Sequence, residues 1–436
     1  MPGTQALSPT EMATAGPVRR SLVEAHPERI GAYRIVRVLG KGGMGIVYLA
    51  EQEKPVRRHV ALKLIQPEMD SRDLLARFEA ERQALAMLDH PNIARIFEAG
   101  MSEGGWPYFV MEYVEGLPLL EYCERRALGT RARLELFIPV CEALHHAHRR
   151  GILHRDVKPS NILIGEVDGR PAPKLIDFGL AKAPELKLTD KTLSTRLGQI
   201  LGTPAYMSPE QISPGADVAP TPRTDVYALG VSLYQLLTGL LPFDMESLAA
   251  RGYGELQRVI RESDPPKPSS RVLEGSSSRN EPEGRKPQPA AVARDLRGDL
   301  DWITMKAMEK EPARRYASAA ALAEDLRRHL DREPVLARPP SRTYRLARLV
   351  RRKPMHAVLA AVLLVLLPLG GWLLYRNLEQ HRRLTDATVQ DMVVQLGRAG
   401  TDPAKLLELS DRILALRPDD VQALRARAAG YFNRAL

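Results

Sequence analysis

Apolar and polar residues alternate near the start of the chain, which predicts a run of β-strands. The first covers 33–39, a second ends at Ala50, and a third covers 59–65. Apolar residues at helical spacing within 71–88 then predict one helix, and two more strands follow it. Residues 33–111 are therefore predicted to form a small, strand-rich lobe.

The pattern then changes to a helical period. Helices are predicted over 131–149 and 300–330. The stretch 225–237 is apolar on nearly every side, which is typical of a buried helix. Residues 264–294 are rich in proline, serine, glycine and charged residues, and this composition predicts a disordered insert. Residues 115–333 are thus predicted to form a larger, helical lobe.

A basic segment and an apolar run follow the helical lobe. Residues 334–354 are predicted to be a juxtamembrane segment, because 338–353 holds seven Lys and Arg and no acid. Residues 355–375 contain no Asp, Glu, Lys or Arg, and at 1.5 Å per residue they span roughly 30 Å, enough for a bilayer core. The heavier positive charge on the N-terminal flank predicts a single-pass protein of the inner (plasma) membrane, with both lobes cytoplasmic and the tail extracytoplasmic.

The tail, 376–436, is predicted to be helical. A helix over 405–416 and a second over 421–436 flank a break at 417–420. This arrangement resembles a fragment of a tetratricopeptide array, but only one turn is visible and such arrays usually need three or more repeats. Either the chain continues natively or the unit forms a homodimer, and a protein partner for the tail is a third option.

The overall charge of +10 first suggests nucleic acid as a partner. Most of this charge is local, because ten Lys and Arg and one Glu within 338–383 supply +9. This excess positive charge lies on both sides of the apolar run, which favours a membrane surface as the partner and not nucleic acid. Only Cys123 and Cys141 are present, so no disulfide framework is indicated. Residues 1–32 are predicted to be a flexible leader without a signal peptide.

A glycine-rich stretch, G-K-G-G-M-G at 40–45, lies between the first two strands. Glycine lets the backbone approach a ligand closely, so such a loop can lay its N–H groups over phosphates. The spacing alone is weak evidence, but the next element decides between two folds. In a dinucleotide-binding fold the glycines lead into a helix, whereas here they lead into the strand-like residues 46–49. A hairpin over phosphates is therefore favoured.

Lys63 lies between apolar residues in the third strand. It shares one face of that strand with Ala61, whereas Leu62 is on the other face, so the lysine can reach a cleft under the glycine loop. Glu81 falls on the apolar stripe of the predicted helix, and an acid on an inward face needs a partner. Lys63 is the candidate partner, and a charge at the edge of the stripe is the alternative.

Two polar motifs lie close together in the middle of the chain. Residues 154–161 read H-R-D-V-K-P-S-N, and 177–179 read D-F-G. Both follow apolar runs, so two short loops would face one space. Asp156, Asp177 and Asn161 suit Mg²⁺, which prefers oxygen ligands and often shares them with phosphates. A polar turn would explain any one of these residues, but it does not explain two patterned motifs at short range.

Three histidines, His145, His146 and His148, lie near the end of the predicted helix over 131–149. His145 and His148 share a face, but no third metal ligand is nearby. Packed or solvated histidines are expected there rather than a metal site.

In this order the motifs resemble those of protein kinases, specifically the bacterial serine/threonine kinases of the eukaryotic-like (Hanks) type. The resemblance covers residues 33–333 and includes S-P-E at 208–210. It implies an α+β, bilobal protein-kinase fold, followed here by one transmembrane helix and a short helical tail. Lys158 two residues after Asp156, together with Thr203 before Pro204, resembles the serine/threonine form rather than the tyrosine form.

The resemblance also implies a role for each position of the central motifs. Asp156 would accept the proton of the substrate hydroxyl, and Lys158 would neutralise the γ-phosphate. Asn161 and Asp177 would hold Mg²⁺, or Mn²⁺ in its place.

A further set of positions is implied to bind ATP. Lys63 would contact the α- and β-phosphates and pair with Glu81, while Glu112 and Val114 would offer main-chain hydrogen bonds to adenine, with Met111 behind it. The full set is Leu39, Gly40, Lys41, Gly42, Gly43, Met44, Gly45, Val47, Ala61, Lys63, Glu81, Glu112 and Val114.

Two contacts implied by the resemblance are structural. Glu210 would pair with Arg315, and Asp225 would support the catalytic loop. The hydroxyl-rich stretch 189–195 would be an activation loop, and we expect autophosphorylation there, answered by Arg155.

The leading hypothesis is an active, membrane-anchored kinase that phosphorylates Ser and Thr of protein substrates. A pseudokinase scaffold that recruits partners through the tail is the alternative. Loss of Lys63, Asp156 or Asp177 would favour it, and all three are present. A nicotinamide oxidoreductase is disfavoured by the strand after the glycine loop.

Overall fold

The computed structural model describes residues 27–42, 45–65, 87–178, 204–212, 219–277, 289–338, 354–400 and 402–435, without the side chains of 354–361. Several predicted features lie outside the described residues: the helix that carries Glu81, the loop residues Gly43 and Met44, and the stretch 189–195. The chain divides into two compact units, Met1–Arg345 and Leu346–Leu436.

The first unit begins with a six-stranded antiparallel sheet in the order β1-β2-β3-β4-β6-β5. Its strands are β1 (Arg29–Ile30), β2 (Tyr33–Gly42), β3 (Gly45–Gln52), β4 (Arg58–Ile65), β5 (Ile96–Met101) and β6 (Pro107–Glu112). The strand-rich first lobe is thus confirmed. β1 was not predicted. It lies inside the predicted leader and pairs with the start of β2.

Alternate residues of this sheet build two apolar layers. Tyr48 and Leu62 are fully buried in the layer on one face. Ala61, Phe109 and Met111 are buried in a separate cluster on the other face. The second cluster lies on the same face as Lys63, because Ala61 and Lys63 are two residues apart in one strand.

Helices dominate the rest of the first unit. They are α1 (Leu119–Arg125), α2 (Thr130–His148), α3 (Pro209–Ile212), α4 (Pro222–Thr238), α5 (Met245–Ala250), α6 (Tyr253–Glu262), α7 (Pro268–Ser277), α8 (Pro289–Leu296), α9 (Asp299–Ala307) and α10 (Ala319–Leu330). Short 3₁₀ turns are found among the described residues at Pro159–Asn161, Pro204–Tyr206 and Pro312–Arg314.

α4 is the buried helix that its apolar sequence predicts. Val226, Leu229 and Leu233 along it are completely buried. At its start the Thr224 hydroxyl accepts the N–H of Thr221 over 3.0 Å, which satisfies an N–H group that the helix itself cannot pair. It ends at a glycine in the left-handed conformation. Such a rigid element can hold a loop in place.

The expectation of a disordered insert over 264–294 is wrong for the described part of that stretch. α7 and most of α8 lie in it, and α8 buries Ala293 and Leu296. Ser269 is tied to the buried Asp301 by two hydrogen bonds of 3.0 and 2.8 Å. Composition suggested disorder, but long-range contacts with α9 supply the burial that orders these residues.

Pro139 lies inside α2, which nevertheless continues to His148. An internal proline removes one helical hydrogen bond and costs about 3 kcal/mol. The neighbours Phe137 and Val140 are fully buried, so packing of the helix outweighs this local cost.

The helical lobe also contains a small three-stranded sheet. It consists of β7 (Leu117–Pro118), β8 (Ile162–Val167) and β9 (Arg170–Leu175). β8 and β9 form a hairpin whose turn residues, Asp168 and Gly169, both have positive φ, as a tight hairpin turn requires. The two polar motifs flank this hairpin in sequence. The main-chain N–H of Ile176 donates to the carbonyl of Asn161 over 2.9 Å, which holds their loops side by side.

The second unit contains one long helix and a helical pair: α11 (Pro354–Arg398), α12 (Pro403–Leu416) and α13 (Val421–Ala435). α11 is long and apolar enough to cross a membrane by length and composition. It extends well beyond the predicted end at residue 375, so the predicted tail begins inside it. Leucines of its apolar stretch are exposed, for example Leu364 and Leu367.

The predicted helix, turn and helix of the tail are present as α12 and α13. Leu406 and Ile413 of α12 pack with Ala423 of α13, and Val389 of α11 joins the same cluster. Leu416 in the last turn of α12, three residues after the buried Ile413, is exposed. α11 is therefore the third helix of this apolar cluster. The sequence pattern did not predict that it packs with the helices of the tail.

Candidate active site

The loop after α2 places three of the candidate side chains in direct contact. Lys158 Nζ lies 2.9 Å from Asp156 Oδ2. Asn161 Nδ2 donates to the main-chain oxygen of Asp156 over 2.9 Å and to its carboxylate over 3.1 Å. The Asp156 carboxylate is therefore held by a cation and an amide, and its side chain is only 15% exposed.

Asp225 at the start of α4 holds this loop from below. One carboxylate oxygen accepts the N–H of His154 and the other accepts the N–H of Arg155, both over 2.8 Å. Arg155 has a φ of 61°, in the left-handed region that non-glycine residues rarely adopt. The two hydrogen bonds stabilise that conformation immediately before Asp156. The support expected from Asp225 is thus present.

His154 connects the two polar motifs. Its Nε2 lies 3.0 Å from the carbonyl oxygen of Ile176, so Nε2 carries the hydrogen, and its Nδ1 accepts the N–H of Asp156 over 3.3 Å. Its ring packs on Phe178 with centroids 4.6 Å apart. Burial lowers the pKa of His154 below its ordinary value, so the neutral tautomer that these contacts require is the stable form.

Lys63 and Asp177 meet across the cleft between the lobes. Lys63 Nζ lies 3.0 Å from Asp177 Oδ1, and both side chains are largely buried. Asp177 has a φ of 58°, another left-handed position for a non-glycine residue at this site. The expected pairing of Lys63 with Glu81 involves a residue outside the described part of the chain.

The described glycines of the stretch 40–45 lie at the facing ends of β2 and β3, as its strand-like flanks predict. Gly40 pairs with Val47 and Gly42 with Gly45. Gly45 has a φ of 140°, and a Cβ there would overlap the carbonyl oxygen of Leu64, so only glycine fits. Gly40 and Gly42 have open space where a side chain would be. The hairpin therefore presents bare backbone, as a phosphate-covering loop requires.

An apolar patch lies between this hairpin and the connector, residues 112–116, which starts at the end of β6. Val47 packs against the cluster of Ala61 and Met111, and Val47 is directly opposite Lys63 in the sheet register. Leu39, at the mouth of the hairpin, is 37% exposed. Apolar side chains beside a lysine suit a ligand with an aromatic ring and phosphates.

Glu112 at the end of β6 makes contacts that its sequence does not reveal. Its carboxylate accepts two hydrogen bonds from Lys174 Nζ, over 2.6 and 2.8 Å. Its N–H donates to the carbonyl of Arg95. The N–H of Glu112 is therefore occupied, so the adenine contact expected at this position would use its carbonyl. Val114, two residues on, is partly exposed.

The donor set at the junction of the motifs fits a divalent cation. Asn161 directs its amide nitrogen at Asp156, which turns its amide oxygen away from that residue. Asp177 supplies carboxylate oxygens nearby. Mg²⁺ takes oxygen ligands and is usually held by one or two protein groups plus substrate phosphates. One amide oxygen and one carboxylate match that requirement.

A buried ion pair closes the base of the helical lobe. Arg315 donates two hydrogen bonds of 2.7 Å to the two oxygens of Glu210, and the arginine side chain is completely buried. It also donates to the carbonyl of Glu309. Burial of Glu210 opposes its ionisation, but the hydrogen bonds and charge of Arg315 outweigh burial and lower its pKa. This is the pair that the sequence resemblance implies.

Known proteins are similar in sequence across the two lobes and the site between them. The model of the protein kinase domain family matches residues 33–325, more than half of the chain. Pkn1 of Myxococcus xanthus, a serine/threonine-protein kinase, is 40% identical over 272 residues, which are 61% of this chain and 37% of that protein. PrkC of Bacillus subtilis, also a serine/threonine-protein kinase, is 40% identical over 229 residues, 52% of this chain and 33% of that protein. The chain thus spans under two fifths of the length of either relative.

A solved structure, the kinase domain of PknI from Mycobacterium tuberculosis, is 28% identical with a TM-score of 0.48, and the match covers 69% of this chain and 96% of that one. The two lobes and the cleft define a phosphotransferase domain, and the chain belongs to the protein kinase family. Its domain is of the serine/threonine class. Proteins of this family use ATP and a divalent metal ion.

Proposed function

We propose that this chain is an ATP-dependent protein-serine/threonine kinase that transfers the γ-phosphate to hydroxyl groups of protein substrates. The observation that carries the proposal is the loop around Asp156. Its carboxylate contacts Lys158 and Asn161, and Asp225 holds the preceding residues. A scaffold without catalysis has no need of a strained loop built around a paired carboxylate. The pseudokinase alternative is therefore not favoured.

The residues divide the reaction between them. A bound serine or threonine hydroxyl attacks the γ-phosphorus of ATP, the bond to the β-phosphate oxygen breaks, ADP leaves, and Asp156 accepts the hydroxyl proton. Lys158, 2.9 Å from Asp156, compensates negative charge on the transferred group. Asn161 and Asp177 would hold Mg²⁺ or Mn²⁺, which neutralises phosphate charge when bound. Lys63 would contact the α- and β-phosphates. These roles are positional and electrostatic, as phosphoryl transfer requires.

The nucleotide would bind between the hairpin and the connector. The backbone of the turn at 40–45 would cover the phosphates, with Leu39 and Val47 beside the adenine. Ala61 would line the apolar floor, and Glu112 and Val114 would supply main-chain hydrogen bonds. The open space at Gly40 and Gly42 and the cluster that includes Ala61 support this placement.

Incubation with labelled ATP and Mg²⁺ tests the activity. The full chain is expected to label itself or a generic protein substrate. A chelator should abolish labelling, because Asn161 and Asp177 carry no positive charge that could neutralise the phosphates in place of the metal ion. Phosphopeptide mapping of the labelled chain is expected to find phosphate among Thr189, Thr192, Ser194 and Thr195. Labelling that persists without divalent cations would contradict the metal assignment. Active protein unmodified at all four positions would contradict activation by autophosphorylation.

We further propose that the chain is a single-pass membrane protein with the kinase domain in the cytoplasm and α12 and α13 outside it. The apolar run within α11 and the seven basic residues before it support this proposal. The packed pair α12 and α13 is the candidate surface for a homodimer or a protein partner in transmembrane signalling.

Membrane fractionation tests the anchor. The wild-type chain is expected to stay in membranes after an alkaline wash, whereas Leu366→Arg with Leu367→Arg should release it, because each arginine at the centre of a span costs about 2.5–3.5 kcal/mol. Leu384→Arg, beyond the apolar run, is the matched control and should not change retention. Retention of the double variant would show that α11 does not span the bilayer. External protease should remove the tail and leave the kinase domain intact.

A further inference from the structure

His148 is buried in the last turn of α2, directly behind the loop around Asp156. Its Nε2 lies 2.7 Å from Asp225 Oδ2, and the two side chains are 4% and 2% exposed. Asp225 Oδ2 is also the oxygen that accepts the N–H of His154. One carboxylate therefore joins a helix side chain to the main chain of the loop.

The hydrogen in this contact belongs to the histidine. Burial disfavours the charged form of Asp225, but the hydrogen bonds from the His148 side chain and the His154 main chain outweigh burial and lower its pKa. The ionised carboxylate can only accept hydrogen bonds. It accepts three within the described residues: from His148 Nε2, from the N–H of His154 and from the N–H of Arg155.

The position of His148 makes this third hydrogen bond consequential. Both oxygens of Asp225 contact consecutive N–H groups of the loop, so rotation of the carboxylate would break both contacts. His148 is the side-chain donor that fixes the rotation. Asp156 follows directly after these two residues, and Arg155, the second of them, has the left-handed φ of 61°, which needs external support.

We propose that His148 is a positioning residue for phosphoryl transfer, which acts through Asp225 to hold Asp156 in its catalytic orientation. The inference rests on the proposed kinase function for its catalytic consequence. In the alternative, His148 only fills space in the core between α2 and α4.

Two replacements separate the alternatives. Glutamine at 148 keeps an N–H donor at about the distance of the histidine Nε2, whereas leucine fills similar space and donates nothing. For His148→Leu we expect kcat to fall about tenfold to a hundredfold, with KM for ATP nearly unchanged, because a small displacement of a catalytic group has effects of this order. His148→Gln should retain most of the wild-type kcat. His145→Leu, three residues earlier on α2 and without a contact to Asp225 in the described residues, is the matched control.

Hydrogen exchange provides a readout that does not depend on activity. The amides of His154 and Arg155 should exchange faster in the full-length His148→Leu chain than in wild type, and at near wild-type rates in His148→Gln and His145→Leu. Equal kcat and equal exchange in the Leu and Gln variants would overturn the proposal. If the wild-type chain transfers no phosphate, the proposed function fails, but the exchange rates still decide whether His148 holds the loop. Should His148→Leu fail to fold, His148→Asn replaces it, since its amide is one bond too short to reach Asp225.

Discussion

Replacement of Asp156 by asparagine is expected to lower the phosphoryl-transfer rate by about 10²–10⁴-fold, the range typical of a lost general base. The amide has nearly the same shape as the carboxylate, so the loop should remain folded. It cannot accept the hydroxyl proton, however, and it no longer offers a charge to Lys158, which lies 2.9 Å away. ATP affinity should change little, because the ATP-binding set proposed above does not include Asp156. Initial rates with a generic protein substrate, together with nucleotide binding, measure both effects.

Asp168→Asn is the matched control for this experiment. Asp168 is exposed in the turn between β8 and β9 with a φ of 51°, and asparagine tolerates that conformation well. The same chemical change away from the cleft should leave the rate unchanged. If Asp156→Asn transfers phosphate as fast as Asp168→Asn, then Asp156 is not the base.

The second large effect is expected on stability rather than on rate. Arg315→Met should lower the free energy of unfolding of the kinase domain by about 3–5 kcal/mol, because it leaves the buried Glu210 carboxylate without its partner. Arg315 also donates to the carbonyls of Arg223 and Lys310, and these groups would lose a donor as well. Urea unfolding followed by near-ultraviolet circular dichroism measures the loss.

Arg314→Met provides the comparison. The adjacent Arg314 pairs with Glu311 at 2.9 Å, but both side chains are well exposed, at 72% and 59%. Exposed pairs contribute about 0–1 kcal/mol, so this variant should unfold close to wild type. The double variant Glu210→Gln with Arg315→Met should recover part of the loss, since no charge is then left buried. A loss below about 1 kcal/mol for Arg315→Met alone would refute the role assigned to the pair.

Much of the cleft could be predicted from the sequence because its parts are local in sequence. The turn between β2 and β3 follows from glycines between two alternating segments, and Gly45 indeed requires positive φ. The face shared by Ala61 and Lys63 follows from the two-residue period of a strand. The contact between Lys158 and Asp156 needs only a short loop. These features depend on neighbours within a few residues.

Contacts between distant parts of the chain could not be predicted in the same way. His148 and Asp225 are 77 residues apart, and Lys174 and Glu112 are 62 apart. Sequence reasoning placed His148 among packed or solvated histidines, because nothing nearby in the chain marks its partner. Only the packing of α2 against α4 brings the two side chains together.

Composition was the weakest guide. The Pro-, Ser- and Gly-rich stretch 264–294 has few apolar residues, yet α7 and α8 form there because Ser269 bonds to Asp301 and Leu296 enters the core. The stretch 1–32 was likewise predicted to be a flexible leader. Its residues Arg29–Ile30 nevertheless join the sheet, because β2 offers an edge to pair with.

By itself, the sequence determined the order of the motifs, the strand and helix periods and the apolar run of α11. Each of these features depends only on residues that are close to one another in the chain. The tertiary structure decided which buried polar groups meet, namely His148 with Asp225 and Lys174 with Glu112. Burial makes an unpaired polar group costly, so these partners are specific, but their identity depends on how distant elements pack.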